Sequence, residues 1–311
     1  MSRQHLFRLR RAVFLARRSV PLVARPLSIV ARVDAPERPV FLIGCPRSGT
    51  SALLQVLLRS PELRTVQLEG HILWDAFHPR KQRDSDALVE AHVSDRERAY
   101  VYLAIRVFAR GRFVDKTPEN CLRIPYLDAL FPDATFVFLH RNAAGNVNSL
   151  IEGWRARPRF VTHRLPEPLE GIAPLDGRLW SFALLPEWRQ LRRASLEEIC
   201  ARQYVVCNET VLDARAGMAP ERWLDVPYGR LVAAPVDEAR RLFGELGLAV
   251  TPEVERYAAE LDRRPSGTTL TAPAPDKWRL QNPEAIERIL PLVATTERRL
   301  AAGAAHRSSS A

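Results

Sequence analysis

The sequence predicts an α/β fold with a central parallel sheet flanked by helices. Three observations carry this. Apolar strand-like runs at 40–43, 112–114 and 135–140 ("TFVFLH") are each followed by a loop and a helix-like segment, the alternation that builds parallel sheets. The stretch "PVFLIGCPRSGTSALL" at 39–54 places a tight glycine-containing loop between the first such run and a helix. With 311 residues and 46% hydrophobic content, the chain is large enough to bury a full core in one domain. Together these predict a P-loop-containing nucleotide-binding architecture.

The elements follow in order. Residues 1–36 are expected to be a basic N-terminal arm, because 1–33 hold eight arginines and no acid. Its longest apolar run, "AVFLA" at 12–16, is too short for a signal-peptide core or a membrane span. Its arginines fall nearly all round a projected helix, so the arm is compatible with weak membrane-surface contact at most. One α/β domain is expected over 37–302, with substrate-loop insertions at about 70–110 and 155–190. Within it, 84–110 is helical in pattern. Residues 155–188 hold five prolines and two tryptophans with weak periodicity, and predict a functional loop or lid. A fourth strand is expected at 223–228 ("WLDVPY"). Helices are expected at about 189–215, 235–246, 252–261 and 283–302, then a disordered tail over 303–311.

The net charge of +10 suits anionic partners: nucleotides, sulfated products, nucleic acid or an acidic membrane. Its arginine bias is also what GC-rich coding produces. Cys45, Cys121, Cys200 and Cys207 show no CxxC spacing, which argues against a zinc site or disulfide framework. His71 and His78 lack companions at metal-ligand spacing. A cytoplasmic, metal-free protein is expected, with a membrane-peripheral arm as the variation.

The loop "GCPRSGTS" keeps Gly44 and Gly49 at the spacing of a phosphate loop. Glycines let successive N–H groups turn inward on an anion, and the following helix points its positive end there. Thr50 and Ser51 add hydroxyls. A nucleoside triphosphatase would carry a lysine at position 50 to reach the outer phosphates and an acid to hold magnesium. Here the cation comes early, at Arg47, and the later strand ends in "HRN" rather than an acid. A metal-free site for a phosphate-like or sulfate-like group fits better.

A second pattern lies at 136–150, "FVFLHRNAAGNVNSL". Arg141 follows a strand and Ser149 sits two helical turns on, so both can face one anion above the sheet. The pair "PRSGTS" plus Arg-x7-Ser resembles the sulfotransferase family, whose sulfuryl donor is 3′-phosphoadenosine 5′-phosphosulfate (PAPS). The resemblance implies that Arg47, Ser48, Gly49, Thr50 and Ser51 bind the 5′-phosphosulfate and that Arg141 and Ser149 bind the 3′-phosphate. It extends through "VDKTPENCLRIPYLDALFPDATFVFLHRN" at 114–142, "VPYGRLVAAPVDEARRLFGELGL" at 226–248 and "SGTTLTAPAPDKWR" at 266–279. These segments imply cofactor contacts from Tyr228, Lys277 and Trp278; Trp278 suits adenine stacking or core packing equally. The chain departs from the family at Asn142-Ala143, where Asp-Pro is usual, and at Gly229-Arg230, where Glu-Asp is usual.

Sulfuryl transfer to a hydroxyl is an in-line displacement that depends on positioning and charge stabilisation. The resemblance implies Glu69, in "SPELRTVQLEGHILW", as base, with His71 as the rival. Burial is expected to raise the pKa of Glu69 into a useful range. Lys116, in "DKTP", is implied to stabilise the leaving group, with Asp115 and Thr117 orienting it or capping a helix. In a chain with only three lysines among 46 cations, a lysine here suggests that a point-like ammonium is wanted. Arg47 is expected to share the sulfuryl charge, and one of Ser266, Thr268 and Thr269 to lie near the transferring group.

Acceptor contacts are expected from 70–110 and 155–190, with Trp74, Phe77, Trp154, Trp180, Phe182 and Trp188 lining an apolar pocket. A glycan, glycolipid or natural-product hydroxyl is preferred over a protein tyrosine, and no nucleic-acid partner is expected. The alternatives are an atypical P-loop kinase, a basic nucleic-acid-binding protein and a non-catalytic sulfotransferase fold.

Overall fold

The computed structural model describes residues 33–66, 69–263, 266–271, 274 and 276–308. The basic arm expected at 1–36 therefore lies outside the described residues, apart from 33–36.

Along the chain come β1 (Val40–Ile43), α1 (Thr50–Leu57), β2 (Leu63–Arg64), α2 (His71–Trp74), α3 (Asp95–Phe108), β3 (Arg112–Asp115), α4 (Ile124–Leu130), β4 (Thr135–His140) and α5 (Ala143–Arg155). Then follow β5 (Val161–Arg164), β6 (Leu179–Ser181), α6 (Leu196–Ala216), β7 (Trp223–Pro227), α7 (Tyr228–Ala233), α8 (Pro235–Leu246), α9 (Pro252–Ala259), α10 (Trp278–Gln281) and α11 (Pro283–Ser308). Single 3-10 turns fill some connections, including Pro118–Leu122 after β3.

Five strands form one parallel sheet in the order β2-β3-β1-β4-β7. Side chains alternate between its faces, as the strand repeat of two requires. Phe41, Ile43, Phe136 and Phe138 point into the larger core, packed under α3, α5 and α6. Val40, Leu42, Val137 and Leu139 point into a second core with α1 and α8. Both faces are covered, which is why these strands read as unbroken apolar runs. Cys45, Cys121, Cys200 and Cys207 are buried free thiols.

Three expectations need correction. α-Helix is confined to 95–108 within the 84–110 stretch, after a 3-10 turn at Glu90–His92, because the Ser94 hydroxyl accepts from the Glu97 N–H and starts α3 there. The 155–188 stretch contains an antiparallel hairpin of β5 and β6, with a bulge between Val161 and His163. Its strands are too short to show a period, and all five prolines fall outside them. The helix expected to end at 302 continues as α11 to Ser308, into the expected tail.

Candidate active site

The chain after each strand of the large sheet reaches one crevice. The connection leaving β1 runs to β2 on one side, while the one leaving its neighbour β4 leads to β7 on the other, which opens a gap beyond the C-terminal ends of these two strands. Arg47 follows β1, Glu69 follows β2, Lys116 follows β3, Arg141 follows β4 and Tyr228 follows β7. All five line a cavity of about 530 Å³, with Gly49, Thr50, Ser51, His71, Ser149, Ser266, Thr268, Thr269 and Lys277.

One end of the cavity is built for anions. Gly49 has φ 114°, and a Cβ there would meet the Tyr228 ring at 2.9 Å. The Tyr228 ring in turn carries the Arg141 guanidinium 4.5 Å from its centroid. The glycine thus supplies both a left-handed turn and room for the ring that seats Arg141. Arg47 also has positive φ, 72°, and its side chain is gripped from three segments. Its Nε donates to Ser149 Oγ at 3.2 Å, its Nη1 donates to the Thr268 carbonyl at 2.6 Å, and its guanidinium lies 4.8 Å from the Phe160 centroid. Burial, with Arg141 and Arg159 nearby, pulls the Arg47 pKa down to about 10. Burial also lowers Arg141. Lys277, whose ammonium donates to the Thr271 hydroxyl, is lowered by burial and by the charges of Arg141 and Arg47. The cations here work against one another, and an anion between them relieves that repulsion. The positive end of α1 faces the same space, with no side chain capping it.

The other end holds an ion-pair chain. Lys116 Nζ donates to Glu69 Oε1 at 2.6 Å, and Glu69 Oε2 lies 3.1 Å from His71 Nε2. Arg80 Nη2 lies 2.6 Å from His71 Nδ1 and donates to Glu119 Oε1 at 3.1 Å, while its Nε donates to Asp75 at 3.1 Å. Burial alone raises a carboxyl pKa, as expected for Glu69 from sequence. The hydrogen bond from His71 and the charge of Lys116 outweigh it, and the Glu69 pKa falls to about 2. That corrects the expected direction. Burial disfavours charge on His71, but Glu119 and Glu69 more than offset it and its pKa rises.

The segment bearing Glu69 is anchored from below. The Gly70 N–H donates to Thr117 Oγ1 at 2.8 Å, and Thr117 Oγ1 lies 3.3 Å from Asp115. Asp115 also accepts from Asn120 at 2.7 Å and Trp74 at 3.2 Å. A Cβ on Gly70 would meet Asp115 at 2.5 Å. Asp115 and Thr117 thus position the Glu69 loop. Thr117 makes no side-chain cap on the 3-10 turn that follows.

Ser48 and Trp278 do not line the cavity. The Ser48 hydroxyl is buried beside Gly44 and has no hydrogen-bond partner among the described residues. Trp278 packs partly on the core, with Arg279 4.4 Å from its ring centroid. Trp74, Trp154, Trp180 and Trp188 are core residues, each at most 1% exposed, and Phe77 packs beside them. Of the six aromatics expected to form an acceptor pocket, Phe182 alone lines the cavity. Its ring stacks on Phe160, 5.2 Å between centroids. Arg80, Glu119, Arg159 and Phe160 also line the cavity and were missed from sequence. Glu119 stands in the noted "DKTPEN" segment, next to residues already singled out; the other three carried no signal of spacing.

The departure at 142–143 keeps its function. Asn142 Oδ1 accepts from the Gly145 N–H at 2.8 Å and caps α5, as an aspartate would. Ala143 has the N–H that a proline lacks, and it donates to Glu297 on α11 at 2.7 Å.

Among the described residues, no helix is long and apolar enough to cross a membrane, and no three or more His, Cys, Asp or Glu side chains are grouped to hold a metal ion. The fold is similar to that of sulfotransferase STF9 from Mycobacterium avium, with TM-score 0.53 and 18% identity over 87% of this chain and 78% of that one. It is also similar to STF1 from Mycobacterium tuberculosis, with TM-score 0.50 and 17% identity over 96% and 86%. A Caenorhabditis briggsae protein assigned as a protein-tyrosine sulfotransferase is 24% identical over 236 residues, 73% of this chain and 72% of that protein. Nodulation protein NoeE of Sinorhizobium fredii is 28% identical over 145 residues, 40% of this chain and 33% of that protein. The model of the sulfotransferase family matches residues 39–252. That match runs from just before β1 to the start of α9, well over half of the molecule, and the chain belongs to the sulfotransferase family.

Proposed function

We propose that this sulfotransferase moves the sulfuryl group of PAPS to a hydroxyl of a small-molecule, glycan or lipid acceptor, with Glu69 as base. The observation that carries the reading is the division of one cavity: Arg47, Arg141 and Lys277 crowd one end, and Glu69 with Lys116 stands at the other. Arg47 and the α1 N-terminus take the phosphosulfate. Arg141 and Ser149 take the 3′-phosphate. The donor's phosphosulfate offers Lys116 a new anionic partner, which loosens its hold on Glu69. The acceptor oxygen forms a bond to sulfur as the bond from sulfur to the phosphate oxygen breaks. The acceptor proton passes to Glu69, and adenosine 3′,5′-bisphosphate leaves with charge stabilised by Lys116 and Arg47. His71 faces the Glu69 carboxylate through Nε2, which must therefore carry a proton; this supports Glu69 over His71 as base.

Calorimetry with adenosine 3′,5′-bisphosphate in the presence of a chelator, paired with transfer from radiolabelled PAPS, tests the reading. R47A and R141A should each weaken binding roughly 10- to 100-fold, the scale of a hydrogen bond to a charged group. E69Q should keep binding while turnover falls ~10²- to 10⁴-fold. A preference for magnesium-ATP over the bisphosphate would overturn it, and full activity in E69Q would move the base elsewhere.

A further inference from the structure

Gly145 is the third residue of α5 and lines the cavity, as Arg141 does. Its backbone is helical and its φ is not positive, so other residues could adopt it. Within a helix, alanine is favoured over glycine by up to about 1 kcal/mol. Local structure therefore gives no reason for a glycine here, but space does. A Cβ on Gly145 would stand 2.9 Å from both Nε and Nη2 of Arg141, and 2.8 Å from Asn142 Oδ1. The Arg141 guanidinium thus lies directly against the bare Cα. Its main chain is held separately: the Arg141 carbonyl accepts from the Tyr204 hydroxyl at 3.1 Å, and α5 begins two residues on. A methyl at position 145 would be accommodated at the far end of the arginine, by moving the guanidinium from its seat 4.5 Å from the Tyr228 ring centroid.

We infer that Gly145 is a positioning residue for the donor: its missing side chain lets the Arg141 guanidinium lie along the first turn of α5, where it meets the 3′-phosphate. This rests on the sulfotransfer reading above, which gives that phosphate to Arg141 and Ser149. Gly145 and Ser149 are four residues apart, so they share one face of α5, and both line the cavity. A phosphate held between Arg141 and Ser149 passes over Gly145. A side chain there would displace the cation and narrow the approach together, and Gly145 acts through Arg141 rather than through the stability of the helix.

The test is calorimetry with adenosine 3′,5′-bisphosphate and with adenosine 5′-monophosphate, which differ only in the 3′-phosphate. The wild-type protein should prefer the bisphosphate by roughly 10- to 100-fold, and R141A should lose most of that preference. G145A should lower the ratio by roughly 10-fold, the scale of one hydrogen bond to a charged group. Its Tm should stay near the wild-type value, because gained helix propensity offsets a disturbed Asn142 cap. N142A loses the cap without adding a methyl, and should keep the wild-type ratio. In the R141A background, G145A should cost no further bisphosphate affinity, since both changes act through one guanidinium. A wild-type ratio in G145A, an equal loss in N142A, or a G145A loss that adds in full to that of R141A overturns the inference. A wild-type protein without the preference, or an R141A that keeps it, would instead sink the reading of Arg141 as the 3′-phosphate ligand.

Discussion

Glu69 spends the donor-free state between Lys116 and His71, and this sets its pH behaviour. Its pKa of about 2 lies below the ordinary glutamate value near ~4.3. A depressed carboxyl contributes stability that is present above the unfolded-state value and is lost as pH falls through the folded one. The Lys116 pair therefore weakens only in strong acid. In K116M the ammonium is gone, and the Glu69 pKa should rise by roughly one to three units. The acid limb of the pH–rate profile should move up accordingly, even though overall activity drops. An unmoved acid limb would show that Lys116 does not govern Glu69. The direction of the Glu69 shift was not legible in the sequence, because Lys116 lies 47 residues away and no local pattern announces the pair. Arg80 and Glu119 escaped for the same reason. Their roles come from contacts 9 and 39 residues apart along the chain.

Elements were legible where a local rule sufficed. β1 and β4 were located to the residue by their apolar runs, since a parallel strand covered on both faces has no polar interruption. β2 has two residues, too few for any pattern, and exists because it pairs with β3. The β5–β6 hairpin was hidden by its prolines and by Trp180, which faces Trp154 across 5.2 Å in the core. A pocket role was expected for these tryptophans as large aromatics that suit a ligand wall; the hairpin folds Trp180 inward onto Trp154 of α5 instead. The entry of α5 shows how an unusual sequence meets an old requirement. Asn142 supplies the cap, so N142A should cost about 1 kcal/mol in urea denaturation, while N142D should stay within a few tenths. A loss in N142D equal to that in N142A would mean that the side-chain oxygen is not what holds the helix start.

At the scale of the molecule, the sheet order and the cation cluster act together. The parallel sheet followed from sequence, and Arg47 and Arg141 could be singled out because they stand in two compact motifs. The surroundings of Glu69 and Lys116 could not be read that way, since they come from α2 and the 3-10 turn after β3 and meet only in three dimensions. Like charges crowded without their anion should leave the free protein less stable than the complex. Adenosine 3′,5′-bisphosphate at about 100 times its Kd should add ~2.7 kcal/mol to the unfolding free energy and raise Tm by several degrees, with or without a chelator. A thermal shift that requires magnesium would contradict the site as drawn. The grip on Arg47 has one more consequence. Its partners Ser149 and Thr268 lie 102 and 221 residues downstream. A chain growing on the ribosome makes its phosphate loop early, yet cannot close that grip until residue 268 has left the exit tunnel. The complete grip is thereby reserved for the nearly finished protein: a product terminated before residue 268 keeps Ser149 and Phe160 but lacks the Thr268 carbonyl that accepts from Arg47 Nη1.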